Sequence, residues 1–378
     1  MYGFLRGKLS CVLYKRIVNI HLTIVIEVEI TLCLRPNLQA EQEWEIKMSE
    51  DYVTMAHGSG GLETEQLISA VFSSAFGNEY LSQMEDSTIV CGSHKIALTT
   101  DSFVVTPIEF PGGDIGRLCI CGTVNDLLMR GATPQYITCG FIIEEGASMD
   151  SLKKIAQSMG ETAKEANVLI VAGDTKVVNG KGDIYINTTG VGFIDEEQKE
   201  LGAKCCEPGD CIIVSGKLGE HYAAILSSRM NIENQIQSDC APLNQMVAAL
   251  LEEKIQIHAM RDVTRGGLAT VLKELATASQ NDFMIRENSL PVSSTVKDFC
   301  GLLGLDPLYM GNEGKMVAVV SNHHAQKALE IIKRSPYGND AAIIGQVEDG
   351  DGKLLMKTSI GGLRNLEVLT GEGLPRIC

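Results

Sequence analysis

Apolar runs and helical stripes alternate along the middle of the chain. Ile96-Ala97-Leu98-Thr99-Thr100 reads as a buried strand running directly into Asp101-Ser102-Phe103. Pro107 and Pro111-Gly112-Gly113 mark a loop. From Asp114 to Arg130 apolar residues recur at helical spacing, and Gly131-Ala132-Thr133-Pro134 ends that helix. Tyr136–Ile143 is a second strand, and Ser148 is placed to cap a helix reaching about Asn167. Val168–Ala172 is a third strand, ending in Gly173-Asp174-Thr175-Lys176, and Ile184–Phe193 is a fourth. The order strand, helix, strand, helix, strand, strand predicts an α+β sandwich with helices on one face.

Charge and a Pro-Gly turn accumulate over Asp195–Pro208, which marks a domain boundary. Beyond it, Cys211–Gly216 opens with a strand, Asn244–Leu251 is helical, and Arg261–Gly267 leads into a helix over Leu268–Ala276. Met316–Ser321 and Ala341–Glu348 read as strands around a helix at Ala325–Lys333. The expected divisions are an extension over 1–47, an N-terminal domain over 48–203, a C-terminal α+β domain over 204–361 and a mobile tail over 362–378. Residues 9–34 are apolar, but Lys15, Arg16, His21, Glu27 and Glu29 interrupt them, so the run fails as a membrane helix or signal peptide. Met48 is the expected true start.

The 378 residues suffice for two cored domains. A net charge of −16 argues against nucleic acid and anionic membrane as partners. The 12 cysteines show no paired C-x-x-C spacing, and many sit beside apolar residues. They read as reduced, buried small hydrophobes of a cytoplasmic protein.

Acidic residues stand at element ends in turn-like contexts: Asp101, Asp126, Asp174, Asp262 and Glu313. Singly, each reads as a turn or cap residue. Together, oxygen ligands spread over several loops suit Mg²⁺, which takes a few carboxylates plus substrate phosphates. Asn125 and Asp126 interrupt an apolar helix face, either as a satisfied internal polar pair or as metal ligands. Lys176 offers a point charge for phosphate or a base. Gly266-Gly267 at a helix start offers free N–H groups to an anion. No G-x-x-x-x-G-K-[ST] loop occurs. Near the front, His57-Gly58-Ser59-Gly60-Gly61 precedes a helix carrying Leu62, Leu67, Ile68, Val71 and Phe72, with Ser59 or Thr64 as its cap. That leader reads either as a plain flexible segment or as a loop over phosphates. The chain ends in Leu374-Pro375-Arg376-Ile377-Cys378, approached through Gly361-Gly362 and Gly371-Glu372-Gly373. A thiol on such an arm is either an exposed accident or a nucleophile that swings into a site built elsewhere.

Thr100-Asp101-Ser102-Phe103, Val124-Asn125-Asp126-Leu127, Gly173-Asp174-Thr175-Lys176, Asp262–Gly267 and Asn312-Glu313-Gly314-Lys315 resemble the ATP-binding superfamily of aminoimidazole ribonucleotide synthetase and selenophosphate synthetase. The leader Met55–Gly61 and the terminal Pro375-Arg376-Ile377-Cys378 narrow the resemblance to the HypE family of hydrogenase-maturation carbamoyl dehydratases. It covers residues 50–378.

The resemblance implies a two-domain aminoimidazole ribonucleotide synthetase-like fold with a flexible C-terminal tail, and a homodimer formed through the N-terminal sheet. It implies ATP and Mg²⁺ held between the domains. Asp101, Asp126 and Asp262 would hold the metal and triphosphate. Asn125, Gly266 and Gly267 would line the cofactor site, with Asp174 and Thr175 on the nucleotide side. Cys378 would carry a carbamoyl group delivered by the carbamoyltransferase HypF. ATP-dependent dehydration would then give an S-cyanide for the iron held by HypC–HypD, with Lys176 and Glu313 as candidates for the base.

Three other readings remain open. A selenophosphate synthetase of the same fold carries a cysteine or selenocysteine near the glycine-rich leader, where this chain has Met55-Ala56-His57. A purine-pathway cyclase needs no terminal thiol. A non-catalytic thiol scaffold predicts no ATP turnover.

Overall fold

A computed structural model describes residues 51–84 and 87–369. The expectations for residues 1–47, Met48 and the tail with Arg376 and Cys378 lie outside the described residues. The chain divides after Tyr52, and every element below belongs to the unit that begins at Val53.

Helix α1 (Leu62–Leu67) continues through a π-wound stretch, Ile68–Ser73. Strand β1 (Lys95–Phe103) follows, then the short ribbon β2 (Glu109–Phe110) and β3 (Gly113–Asp114). Helix α2 (Ile115–Met129), strand β4 (Thr133–Glu144), helix α3 (Met149–Glu165), strand β5 (Leu169–Val178) and strand β6 (Ile184–Ile194) complete this half. The sheet order is β1-β6-β4-β5. β4 and β5 are parallel and β6 runs against both β4 and β1. Parallel neighbours need a crossover, and α3 supplies it. Asp114 Oδ1 accepts from Arg117 N at 2.8 Å to cap α2, and Ser148 Oγ accepts from Ser151 N at 3.3 Å to cap α3. The strand and helix order is the one the hydrophobic pattern predicts.

Two local expectations fail. Neither Ser59 nor Thr64 caps α1: its N-cap is Gly61, Ser59 Oγ donates to Ala56 O, and Thr64 Oγ1 accepts from Gly60 N. β1 is an edge strand rather than a buried one, with Ile96 49% and Leu98 70% exposed. Its inward row packs on α2, and its outward row is the apolar surface that made the sequence look wholly buried.

The second half holds β7 (Cys211–Val214), α4 (Glu220–Met230), α5 (Asn244–Glu252), β8 (Ile257–Asp262), α6 (Gly267–Ser279), β9 (Asn281–Arg286) and α7 (Ser294–Leu303). β10 (Met316–Val320), α8 (Ala325–Arg334), β11 (Ala342–Asp349), β12 (Leu354–Lys357) and β13 (Leu363–Leu366) follow. Seven strands form one sheet in the order β13-β12-β9-β11-β7-β10-β8. Its central strands are buried on both faces: Ile213 and Ala318 join one core, while Ile212 and Val317 join the other. Strands covered on both sides read as continuous apolar runs, as Cys211–Val214 and Met316–Val320 do.

Helix α2 is apolar nearly all round, and all but Arg117 and Asp126 of its residues are buried. A helix of that kind must be covered on every side. It packs against its own sheet, against α3 and against β8 and α5 of the second half.

Seven of the nine described cysteines are buried, and all nine are free thiols. Burial pushes Cys139 up to about 12, which keeps that thiol inert. Cys91 is exposed and Cys205 half-buried, against the expectation for the group. Among the described residues no helix is long and apolar enough to cross a membrane.

Candidate active site

The alternation of β1 places Thr99 and Asp101 on its inward row. Thr99 Oγ1 donates to Asp126 Oδ2 at 2.7 Å, tying the strand to α2. Asp101 lies beside the same Asp126. Burial first, and the charge of Asp126 second, push the Asp101 carboxyl up from 3.8 to about 6. Asp262 closes β8 from the other half. Burial, then Asp126, push it likewise to about 6.

Glu313 completes the group. Burial raises its carboxyl well above the ordinary range, and Asp262, Asp239 and Asp101 add to the effect, while Arg265 opposes it. Four acids from four separate elements therefore sense one another across the junction of the two halves.

The turn that carries Glu313 is pinned from several sides. Asn312 Oδ1 accepts from Gly219 N at 2.7 Å, and Asn312 Nδ2 donates to Val263 O at 3.1 Å. Val263 N donates to Lys315 O at 2.9 Å, which sets the turn beside Asp262. Opposite lies segment 237–243. Ser238 Oγ bonds His221 Nδ1 at 2.7 Å, and Arg117 Nε donates to Cys240 O at 2.9 Å. Asn125 Nδ2 donates to Ala241 O at 3.0 Å, and Asn125 Oδ1 accepts from Leu243 N at 2.9 Å. Burial holds His221 down at about 4, so it is a neutral structural partner near pH 7. Of the two sequence readings for the polar pair on α2, Asn125 is the satisfied internal group, while Asp126 belongs to the acid cluster.

Gly266 and Gly267 stand at φ +79° and +66°, where side chains are strained. A Cβ on Gly267 would also meet Leu308 O at 2.5 Å. The N-terminus of α6 has no side-chain cap, which leaves helix N–H groups for an anion.

Asp174, Thr175 and Lys176 lie elsewhere. Asp174 pairs in register with Gly140, Gly140 with Asn187, and Asn187 with Ser102. Cross-strand partners share a face, and Ser102 is on the outward row of β1. Asp174 is therefore on the opposite face of the sheet from Asp101. Lys176 shares that outward face and holds Asp174 Oδ1 at 2.9 Å, with both side chains about two-thirds exposed, at 65% and 66%. That bond holds the Asp174 carboxyl below its usual range. Asp174 and Thr175 border a groove of about 280 Å³ with Thr64 of α1 and Phe72 of its π-wound continuation. The leader lies against β5: a Cβ on Gly58 would meet Val177 at 2.8 Å, and buried His57 accepts from Thr54 N at 3.0 Å.

One chain thus does not bring Lys176 to Glu313, although the sequence reading grouped them for base work. Asp101, Asp126 and Asp262, by contrast, are electrostatic neighbours. Among the described residues no three acidic, His or Cys side chains close into a metal-holding group. This donor chemistry suits Mg²⁺ arriving with phosphates, since that ion uses one or two carboxylates and completes its shell with phosphate and water.

A cleft of about 710 Å³ opens from Asp126 and Asp262, lined further by Arg130, Lys204 and Arg261. Two residues of the site, Asp239 and Thr99, carry no local sequence signal. Asp239 sits in a loop without any motif, and Thr99 looked like ordinary strand.

Two family models match the chain: AIR synthase related protein, N-terminal domain, over residues 84–194, and AIR synthase related protein, C-terminal domain, over 207–357. The carbamoyl dehydratase HypE of Bradyrhizobium diazoefficiens is 46% identical over 333 residues, covering 86% of this chain and 96% of that protein. A crystal structure of the hydrogenase maturation protein HypE in complex with ATP superposes with a TM-score of 0.83 at 44% identity, covering 86% of this chain and 99% of that one. A crystal structure of a HypE–HypF complex gives 0.70 at 47% identity, covering 80% and 99%.

Proposed function

Because this chain belongs to the carbamoyl dehydratase HypE family, we propose that it is an ATP-dependent dehydratase acting on its own C-terminus in the cytoplasm. Cys378 takes a carbamoyl group from HypF, the partner in one relative's crystal structure. ATP phosphorylates the carboxamide oxygen and ADP leaves. The nitrogen then gives up its protons, phosphate departs, and an S-cyanide remains for delivery to iron on HypC–HypD. A carboxamide oxygen is a poor leaving group, and phosphorylation makes it a good one.

The observation that carries this reading is the convergence of Asp101, Asp126, Asp262 and Glu313: Asp126 raises the proton affinity of Asp101 and Asp262, and those two raise that of Glu313. Such crowding is costly in an empty site and becomes favourable when a cation enters. Asp101, Asp126 and Asp262 would hold Mg²⁺ together with phosphate oxygens, and the ion would offset charge on the transferring group. The α6 N-terminus at Gly266-Gly267 faces the phosphates. Glu313 accepts a proton from the amide nitrogen, and Lys176 assists.

Lys176 reaches that chemistry through a second copy of the chain. Among the described residues β1 and β5 are both unpaired edges. The outward face between them exposes Ile96, Leu98 and Ile142. An apolar sheet face with two free edges calls for a cover. Homodimerisation through this sheet buries it and sets Asp174 and Lys176 of one copy against the other copy.

The test is the intact mass of the C-terminal peptide after incubation with HypF, carbamoyl phosphate and Mg·ATP. The expected result is a carbamoyl adduct on Cys378 followed by loss of one water. An adduct that never loses water would sink the dehydratase assignment.

A further inference from the structure

Behind Glu313 lies a buried ion pair that the proposed chemistry does not use. Asp239 Oδ1 accepts from Glu313 N at 3.1 Å. Lys315 Nζ stands 3.2 Å from Asp239 Oδ2 and donates to Gly314 O at 3.0 Å. The two side chains are only 8% and 2% exposed. Among the described residues no hydrogen-bond donor stands in line with Oδ2, so Lys315 meets it as a charge. Between them, Gly314 passes so close that a Cβ there would collide with Asp239 O. Glu313 O in turn lies 3.4 Å from Ala241 N. Asp239 and Lys315 thus clamp the backbone on both sides of Glu313.

A buried ion pair is a poor route to stability, because desolvation offsets most of the attraction and an apolar pair often does as well. It is a good route to a single geometry, since either charge alone is costly in any other arrangement. Segment 237–243 is also fixed to the N-terminal half through Arg117 and Asn125. The clamp therefore references Glu313 to α2, the helix that carries Asp126.

We propose that Asp239, braced by Lys315, is a positioning residue for Glu313, holding its carboxyl in register with Asp126 and Asp262. This rests on the reading of Glu313 as the group that takes a proton from the carbamoyl nitrogen. The clamp acts on the chemical step and leaves nucleotide binding alone.

The test is ADP release by the full-length chain carbamoylated on its tail, with Mg·ATP varied, alongside the thermal midpoint of each variant. Asp239→Asn keeps an oxygen for Glu313 N but strands Lys315. The double variant Asp239→Asn with Lys315→Met removes both charges and relieves that burden on folding. Expected is a kcat loss on the order of 10²-fold in both, as for a small misplacement of a reacting group. KM for ATP should stay within about twofold, the mark of an interaction made only in the transition state. The double variant should regain the wild-type midpoint without regaining kcat. A double variant that recovers kcat together with stability would overturn the proposal, because the pair would then serve folding only. A loss seen in KM alone would also overturn it. Glu313→Gln separates the two levels. If that variant turns over normally, the reading of Glu313 fails and the positioning role falls with it. If it is inactive while the Asp239 variants run at wild-type kcat, only the positioning role fails.

Discussion

Asp262→Asn should make the protein more stable at alkaline pH while removing its function. The carboxyl titrates at about 6 in the folded chain against an ordinary 3.8, through burial first and Asp126 second. A raised folded value means that the folded state binds the proton more tightly than the unfolded chain does. The resulting stabilisation is complete below the unfolded value and is lost as pH rises through about 6. Above that, the ionised side chain is a burden on the fold. A difference of roughly two pH units, at 1.36 kcal/mol each, sets a ceiling of about 3 kcal/mol. Asp262 is half-buried, and the lost bond to Thr264 works in the other direction, so a net gain of about 1–2 kcal/mol is expected at pH 8. At pH 5 the folded carboxyl is largely protonated but the unfolded one is largely ionised, so about half of the gain should remain, and it vanishes only below about pH 3.8. Urea unfolding at both pH values, with a chelator present, measures it. A variant less stable than wild type at pH 8, or equally stabilised at both pH values, would refute the electrostatic account. Adding Mg·ATP should then reverse the order at pH 8, because only wild type gains binding energy from the cation.

Other substitutions probe separate parts of the argument. Gly314→Ala forces a methyl onto Asp239 O and should cost about 1–3 kcal/mol in urea unfolding, as overpacking does; a neutral result would mean that the turn yields. Leu98→Asp puts a charge on the outward face of β1 and should give a monomer by sedimentation, with its circular dichroism unchanged. Cys378→Ala should abolish the carbamoyl adduct by mass while calorimetric ATP affinity holds; loss of both would argue against a tail that visits a site built elsewhere.

The N-terminal half was legible because its periods are clean. Strands of Val, Ile and Thr alternate with helices that start at Asp114 and Ser148, both real caps. The second half was less so. α4 was missed because its buried residues run consecutively from His221 to Ser227, without the three-and-four spacing of an amphipathic stripe, and it starts at Gly219 without a polar cap. β9 was missed because Asn281-Asp282-Phe283-Met284-Ile285-Arg286 is polar at both ends. The acids of the cluster were recognisable from their turn contexts and shared motif. Their partners were not. Nothing local in Ser238-Asp239-Cys240 marks Asp239, whose meaning comes from Glu313, 74 residues away in sequence. Parity within a strand tells which residues share a face, but only the register across β1, β6, β4 and β5 shows that Asp101 and Asp174 face opposite ways.

That opposition has a consequence that can be measured. If Lys176 serves the acid cluster of a second copy, the two lesions Lys176→Ala and Glu313→Gln should complement. In a twofold dimer carrying one lesion on each chain, one site receives both and the other receives neither. Random reassociation makes about half of the dimers mixed, and half of their sites are intact, so a mixture of two inactive variants should recover about a quarter of the wild-type rate. If each site instead drew Lys176 and Glu313 from one chain, every site in the mixture would carry a lesion and nothing would return. ADP release after unfolding and refolding the variants together, against the variants refolded apart, distinguishes the two. Recovery that depended on mixing before refolding, and failed on mixing afterwards, would tie the rescue to shared dimers. No recovery under either protocol would place Lys176 and Glu313 in separate roles and remove Lys176 from the proton transfer.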